Sequence, residues 1–74
     1  SNKMVLRQRI KSQYEKRIRN HQMRIESYQY SFDTNKQKLI PALKGQIRKW
    51  EEDLQAELNE LDRSKIAINS SSLA

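Results

Sequence analysis

His21 is the only histidine of the chain, and histidine is the side chain that most readily binds a transition metal or transfers a proton near neutral pH. A zinc site needs further His or Cys ligands, and the sequence holds neither a second histidine nor a cysteine. A nucleophilic serine needs a base beside it, and the serine run at residues 70–72 has none among its neighbours. The sequence therefore predicts no metal site and no catalytic residue, and we expect His21 to pack in a helix seam.

Three consecutive acids, Glu51, Glu52 and Asp53, form the densest group of carboxylates. Neighbouring positions on a helix lie roughly 100° apart around its axis, so these carboxylates diverge instead of converging on one ligand. The chain has a single glycine, Gly45, and therefore no Gly-rich loop for a phosphate. We predict that this chain is not an enzyme and that it has no cofactor and no small-molecule substrate.

A cluster of cations near the middle of the chain is the feature that most directly predicts a ligand. Residues 33–49 carry five Lys or Arg against one acid, whereas residues 50–74 carry six acids against two cations. Such a cluster can contact the phosphate backbone of a nucleic acid, or it can be the solvated coat of a charged helix. The candidate nucleic-acid-binding residues are Lys36, Lys38, Lys44, Arg48 and Lys49.

Two apolar stripes at helical spacing predict the elements that carry these residues. No run alternates apolar and polar residues, so the predicted fold is all-α. We expect a helix at 4–33, a turn at 34–39 and a helix at 40–69, flanked by a tag remnant or disordered start at 1–3 and a frayed tail at 70–74. The first stripe is Leu6, Ile10, Tyr14, Ile18, His21, Ile25, Tyr28 and Phe32; the second is Ile40, Leu43, Ile47, Trp50, Leu54, Leu58, Leu61, Lys65 and Ile68.

The segment DTNKQK, residues 33–38, favours caps and turns, and Pro41 is tolerated only in the first turn of a helix. The second helix should therefore begin between Leu39 and Pro41. Gly45 then lies one turn inside it, where glycine costs about 1 kcal/mol relative to alanine. Two interpretations of Gly45 stay open: it permits a close approach of the two backbones, or it is merely tolerated.

So short a connection predicts that the two helices run antiparallel, as a two-helix coiled-coil hairpin. Contacting positions should then sum to 73–75, which places His21 against Leu54 and Tyr14 against Leu58 or Leu61. This register also places the basic segment 11–24 beside the acidic segment 51–62, so cations such as Lys11, Lys16, Arg17 and Arg24 can flank the acids. Exposed pairs of this kind select the register more than they stabilise it.

Two helices that share one seam bury little apolar surface compared with the conformational entropy lost on ordering them. We therefore expect the hairpin to self-associate into a four-helix bundle or to pack on another domain of a larger parent protein. No apolar run approaches the length of a membrane span, and cysteine is absent. The expected location is the cytoplasm, without a membrane partner.

The stretches YEKRIRNHQMRIESYQ and IPALKGQIRKWEEDLQAELNELD resemble the helical coiled-coil extension beyond the motor core of some bacterial helicase-related proteins of the Swi/Snf-like superfamily. The shared pattern is a Tyr-Glu-basic-basic turn at 14–17 and a Gly-Gln-Ile-basic start at 45–49, within a resemblance that covers roughly residues 10–65. It implies an accessory arm of a DNA-dependent ATPase, and no ATPase activity for this piece, which holds no helicase motif.

The function that the sequence predicts is that of a non-catalytic coiled-coil module of a larger protein, which mediates protein–protein interaction or oligomerisation. The alternative is an arm that contacts a nucleic-acid backbone through its basic end. A third hypothesis is an effector or adaptor segment. The first two differ in one measurable property, which is salt-dependent binding to DNA.

Overall fold

A computed structural model of the chain describes residues 2–64, and two long helices contain most of them. Helix α1 spans Asn2–Gln29, the short helix α2 spans Thr34–Lys38, and α3 spans Ile40–Arg63. Residues 2–64 contain no strand. Contacts of Arg7 with Asp62 and of His21 with Trp50 show that α1 and α3 run antiparallel. The predicted all-α helical hairpin is confirmed.

The connection between the long helices differs from the predicted one. Helix α1 ends at Gln29 instead of residue 33, because the backbone amide of Ser31 turns back to the carbonyl of Tyr28 at 3.1 Å. Asp33 is extended and accepts a hydrogen bond from the amide of Asn35 at 2.9 Å, which caps α2. Residues 34–38 of the predicted turn are therefore helical, since a capping side chain starts a helix there.

Both ends of the predicted second helix can be compared with α3. Leu39 is its N-cap and Pro41 lies in its first turn, as predicted. Ser64 is extended, with ψ at 130°, so α3 ends at Arg63 and not at residue 69. Residue 1 and the segment 65–74, which includes the predicted tail, lie outside the described residues. Residues 2 and 3, predicted as part of a disordered start, belong to α1.

The register is shifted relative to the prediction. His21 contacts Trp50, a pair that sums to 71 where the predicted pair of His21 with Leu54 sums to 75, and the ion pair of Arg7 with Asp62 sums to 69. The earlier end of α1 explains the shift, because the last residue of α1 and the first of α3, residues 29 and 40, sum to 69. The predicted pairing of Leu6 with Ile68 involves a residue outside the described part.

The seam between α1 and α3 is shallow. Within residues 2–64 only two hydrophobic side chains are buried, Ile25 at 8 % and Leu58 at 7 % exposure. Most other stripe residues, such as Leu54, are half-buried. Phe32 was predicted to lie on the seam, and this was wrong: it is fully exposed because it follows the end of α1. Each helix thus covers only part of the apolar stripe of the other helix, and the rest of both stripes remains in contact with water.

Gly45 does not mark a close approach of the backbones. A Cβ placed on Gly45 meets no atom within 4 Å, and the residue is exposed in the second turn of α3. The close-approach interpretation is therefore wrong, and the glycine is only tolerated there.

Replacement of Gly45 with Ala is expected to stabilise the hairpin by about 1 kcal/mol, because alanine loses less backbone entropy in a helix and clashes with nothing. For a chain of this size the melting temperature should rise by about 4–8 °C, measured by circular dichroism at one fixed protein concentration. The matched control is Ala56→Gly, at an exposed position of the same helix, which should lower stability by a similar amount. A Gly45→Ala chain that melts at or below the original temperature would contradict this structure of α3.

Candidate functional site

The end of the hairpin where the chain reverses, residues 30–49, is the candidate functional site and is called the tip. Four hydrogen bonds hold its first segment in place. Three of them involve Ser31: its amide donates to the Tyr28 carbonyl, its carbonyl accepts from the Gln37 side chain at 2.7 Å, and its Oγ accepts from the Asp33 amide at 3.0 Å. In the fourth, the Asn35 amide donates to the Asp33 carboxylate. Residues on both sides of Phe32 are thus anchored, so the backbone of the tip has a defined course.

The structure brings the five predicted cations to this end of the molecule. Lys36 and Lys38 lie in the last turn of α2, where the helix dipole favours positive charge. Lys44 and Arg48 are one turn apart on one side of α3, and Lys49 lies further around the same helix. All five are exposed. The tip therefore presents exposed cations on both α2 and α3.

None of the five cations is neutralised within the described part of the chain. The ion pairs of residues 2–64 are Arg7 with Asp62 and Arg63 with Glu60, both outside the tip. Lys36 has one neighbour of note, since its Nζ lies 5.9 Å from the centre of the Tyr28 ring. The single acid of the tip, Asp33, is engaged as the cap of α2. The tip thus carries a clear excess of positive charge.

Sequence reasoning placed Tyr30 off the apolar stripe but missed two further apolar side chains of the tip, Phe32 and Leu39. Tyr30 is 81 %, Phe32 103 % and Leu39 51 % exposed, and all three lie in the connection between α1 and α3. The periodicity of the first stripe placed Phe32 in the seam. Leu39 was considered only as a possible start of the second helix. The signal that could have found them is Asp33, because an N-cap residue interrupts a helix and releases its neighbours from the stripe.

Along the shaft of the hairpin the predicted ion pairs are mostly absent. One pair crosses from α1 to α3, Arg7 with Asp62 at 2.5 Å, supported by a hydrogen bond from Lys3 Nζ to the Asp62 carbonyl at 3.0 Å. The basic residues predicted to flank the acids make no ion pair within residues 2–64; they are Lys11, Lys16, Arg17 and Arg24. The acidic segment of α3 is therefore left largely unneutralised by α1.

Tyr14 lies half-buried in the seam, where acids of α3 act on its hydroxyl. Partial burial, the charges of Glu57 and Asp53, and a hydrogen bond with Glu57 raise the pKa of the Tyr14 hydroxyl, and the nearby Arg17 opposes that rise. The Arg17 guanidinium lies 5.3 Å from the centre of the Tyr14 ring. The raised pKa favours the neutral phenol beside these acids.

His21 packs against Trp50, with ring centres 4.6 Å apart and planes at 67°, an edge-to-face arrangement. Both rings are half-buried in the seam. In the part of the chain that the structure describes, no group of three or more His, Cys, Asp or Glu side chains could hold a metal ion. Neither long helix is apolar enough, over its described length, to cross a membrane.

Comparison of the chain with protein-family models, with curated proteins and with solved structures found no match. The resemblance to a coiled-coil extension of helicase-related proteins stays a prediction from the sequence.

Proposed function

We propose that this chain is a non-catalytic coiled-coil module of a larger protein and that it mediates protein–protein interaction or oligomerisation. The observation that supports the proposal is the shallow seam, in which only Ile25 and Leu58 are buried. A four-helix bundle covers such half-buried stripes by adding two further helices.

An open groove between α1 and α3 gives the seam a place for a further helix. It has a volume of about 460 Å³, and its walls include the apolar side chains of Ile10 and Leu61 together with Glu57 and Glu60. Apolar side chains in an open groove remain in contact with water, and a partner helix that covers them gains the free energy of their burial. This groove is the part of the surface that we assign to the interaction.

Charge supplies a second argument for a partner. A single ion pair crosses from α1 to α3 among the described residues, and the α1 cations Lys11, Lys16 and Arg24 make no ion pair there. A second copy that packs antiparallel could bring the acidic part of one α3 beside the basic part of the other α1, which selects orientation and register. The parent protein that we propose, a helicase-like DNA-dependent ATPase with this hairpin as an accessory arm, rests on the sequence resemblance alone.

Sedimentation equilibrium of the full chain over a wide range of concentrations tests the proposal. We expect a mass above the 8.9 kDa of one chain, and a melting temperature that rises with protein concentration. Leu61→Asn should weaken association, because it places an amide in the groove, whereas Ala56→Asn at an exposed position of α3 should not. A monomer that is fully helical and melts at a concentration-independent temperature would contradict oligomerisation, and the proposal would then need a different protein as the partner of the groove.

The alternative function, contact of the tip with a nucleic-acid backbone, stays a prediction. Its support is the exposure of the five tip cations and the lack of a carboxylate partner for them within residues 2–64. These properties are required for phosphate contact and are shared by any surface that binds an anionic partner.

A further inference from the structure

Three bulky apolar side chains are exposed at the tip without a role in the seam. Tyr30, Phe32 and Leu39 lie within ten residues of one another, at one end of a molecule whose Cα atoms extend over 59 × 15 × 9 Å. Phe32 has no contact that reduces its exposure, which stands at 103 %. Leaving such side chains in water gives the hairpin no stability, since apolar surface is stabilising only when it is removed from water.

The exposure of Phe32 does not result from a loose segment. The carbonyl of Ser31 accepts from Gln37, and the amide of Asp33 donates to Ser31 Oγ, so hydrogen bonds hold both neighbours of Phe32. The Lys36 Nζ lies 5.9 Å from the centre of the Tyr28 ring, so α2 lies close to the end of α1. The fold thus presents Phe32 to solvent in a fixed place, which lowers the entropy that a binding partner must overcome.

The surroundings of these side chains determine which partner they suit. Five exposed cations lie in the same tip, and its single acid is the cap of α2. Lysine stems are apolar and their ammonium groups can remain at the level of charged headgroups while neighbouring apolar groups enter a hydrocarbon layer. A partner that offers both negative charge and an apolar interior complements the tip better than one that offers negative charge alone.

We propose that the tip binds an anionic lipid surface, with Phe32, Leu39 and Tyr30 inserted at the headgroup level and the cations on the lipid phosphates and carboxylates. This goes beyond the proposed coiled-coil function, and it departs from the sequence expectation that the chain has no membrane partner. The hairpin does not span the bilayer; it contacts the interface at one end.

Two features favour a lipid surface over a single-stranded nucleic acid. Proteins that bind single strands place stacking aromatics in a positively charged groove that follows the backbone, whereas the tip is the narrow end of a rod. Leu39 has no aromatic face on which a base can stack, and it is exposed beside the cations. A fluid bilayer surface accommodates side chains on different sides of a narrow end, because its lipids rearrange around them.

Vesicle flotation with the full chain tests the proposal, using phosphatidylcholine vesicles with and without phosphatidylserine. We expect binding to the anionic vesicles that weakens between about 50 and about 200 mM salt. Neutralising Lys36, Lys38 and Lys44 to Gln should lower the partition coefficient by about five-fold per residue. The double variant Phe32→Ser, Leu39→Ser should lower it by about ten-fold at either salt concentration, because inserted apolar groups contribute independently of charge.

Met23→Ser is the matched control, since Met23 is 62 % exposed on the shaft of α1 and should not affect the binding. Circular dichroism checks that each variant keeps its helices. In a separate variant, Phe32→Trp, an additional emission component should shift to shorter wavelength on anionic vesicles, whereas the single Trp50 of the unchanged chain should show no shift.

Three results would overturn the proposal. One is a double variant that binds as tightly as the original chain, which would show that the apolar side chains do not insert. Another is a lack of binding to anionic vesicles at the lower salt concentration; if a single-stranded oligonucleotide then binds in a way that depends on Phe32, the tip is assigned to nucleic acid. The last is equal binding to vesicles with and without phosphatidylserine. Sedimentation equilibrium tests the coiled-coil proposal and vesicle flotation tests this one, so the two proposals can fail separately.

Discussion

The Leu58→Asp chain is expected to lose the helical hairpin. Leu58 is only 7 % exposed and lies on α3 where it faces α1, so the substitution removes apolar burial and places a carboxylate in the seam. The free energy of unfolding is expected to fall by at least about 3 kcal/mol. A core in a chain of fewer than about 80 residues rarely supplies more than about 3–5 kcal/mol, so this loss removes most or all of the stability.

Circular dichroism at a fixed concentration measures the effect, as a fall in helicity and the disappearance of the cooperative melt. Ala56→Asp is the control, because it adds the same charge to the same helix at an exposed position and should retain the fold. Leu54→Asp should have a smaller effect than Leu58→Asp, since Leu54 is half-buried. If Leu58→Asp melts like the original chain, the buried face of α3 has been assigned to the wrong side.

The helical part of the fold follows from residue types and spacing. Ile25 and Leu58 lie on the two predicted stripes and are the buried residues of the described chain. Pro41 lies in the first turn of α3 because it lacks an amide hydrogen that the rest of a helix requires. The position of Pro41 depends on one helix alone, and the burial of Ile25 and Leu58 requires only that the two apolar stripes pack against each other. Both can therefore be predicted from residue types and their spacing.

The ends of the helices depend on smaller differences in free energy. If α1 continued through Asp33, Phe32 would lie on the apolar stripe. In the structure α1 ends at Gln29 instead, and Asp33 caps the start of α2. A cap contributes about 1 kcal/mol, so periodicity alone does not decide between these two arrangements. The four-residue difference at the end of α1 moved the register and turned Phe32 from a predicted seam residue into an exposed one.

The sequence predicted the excess of positive charge at the tip and placed Tyr30 off the apolar stripe, but it did not predict that Phe32 is exposed. Lys44 and Arg48 remain exposed in the structure as their sequence context indicated. The predicted shaft pairs, such as those of Lys11 and Arg24, did not form because long charged side chains gain little from pairing in water and lose rotamer freedom. Opposite charges on the two helices therefore predict their antiparallel orientation better than they predict individual ion pairs.

Trp50→Ala is the second substitution for which we expect a large effect. Trp50 is the largest side chain of the seam, and its ring centre lies 4.6 Å from that of His21 in an edge-to-face arrangement. Full removal of a buried tryptophan costs about 3–5 kcal/mol, and we expect the lower part of that range because Trp50 is only half-buried. Denaturant unfolding followed by circular dichroism measures the loss, since the variant has no tryptophan fluorescence.

A double-mutant cycle separates the ring contact from the general loss of apolar surface. Trp50→Ala, His21→Ala and the double variant should give a coupling free energy of about 0.5–1.5 kcal/mol, the value for an aromatic pair in this geometry. Trp50→Phe is the matched control, because it keeps an aromatic ring in the seam and should lose less stability than Trp50→Ala. A coupling near zero would mean that His21 and Trp50 do not meet in solution, and the register in which their positions sum to 71 would have to be replaced.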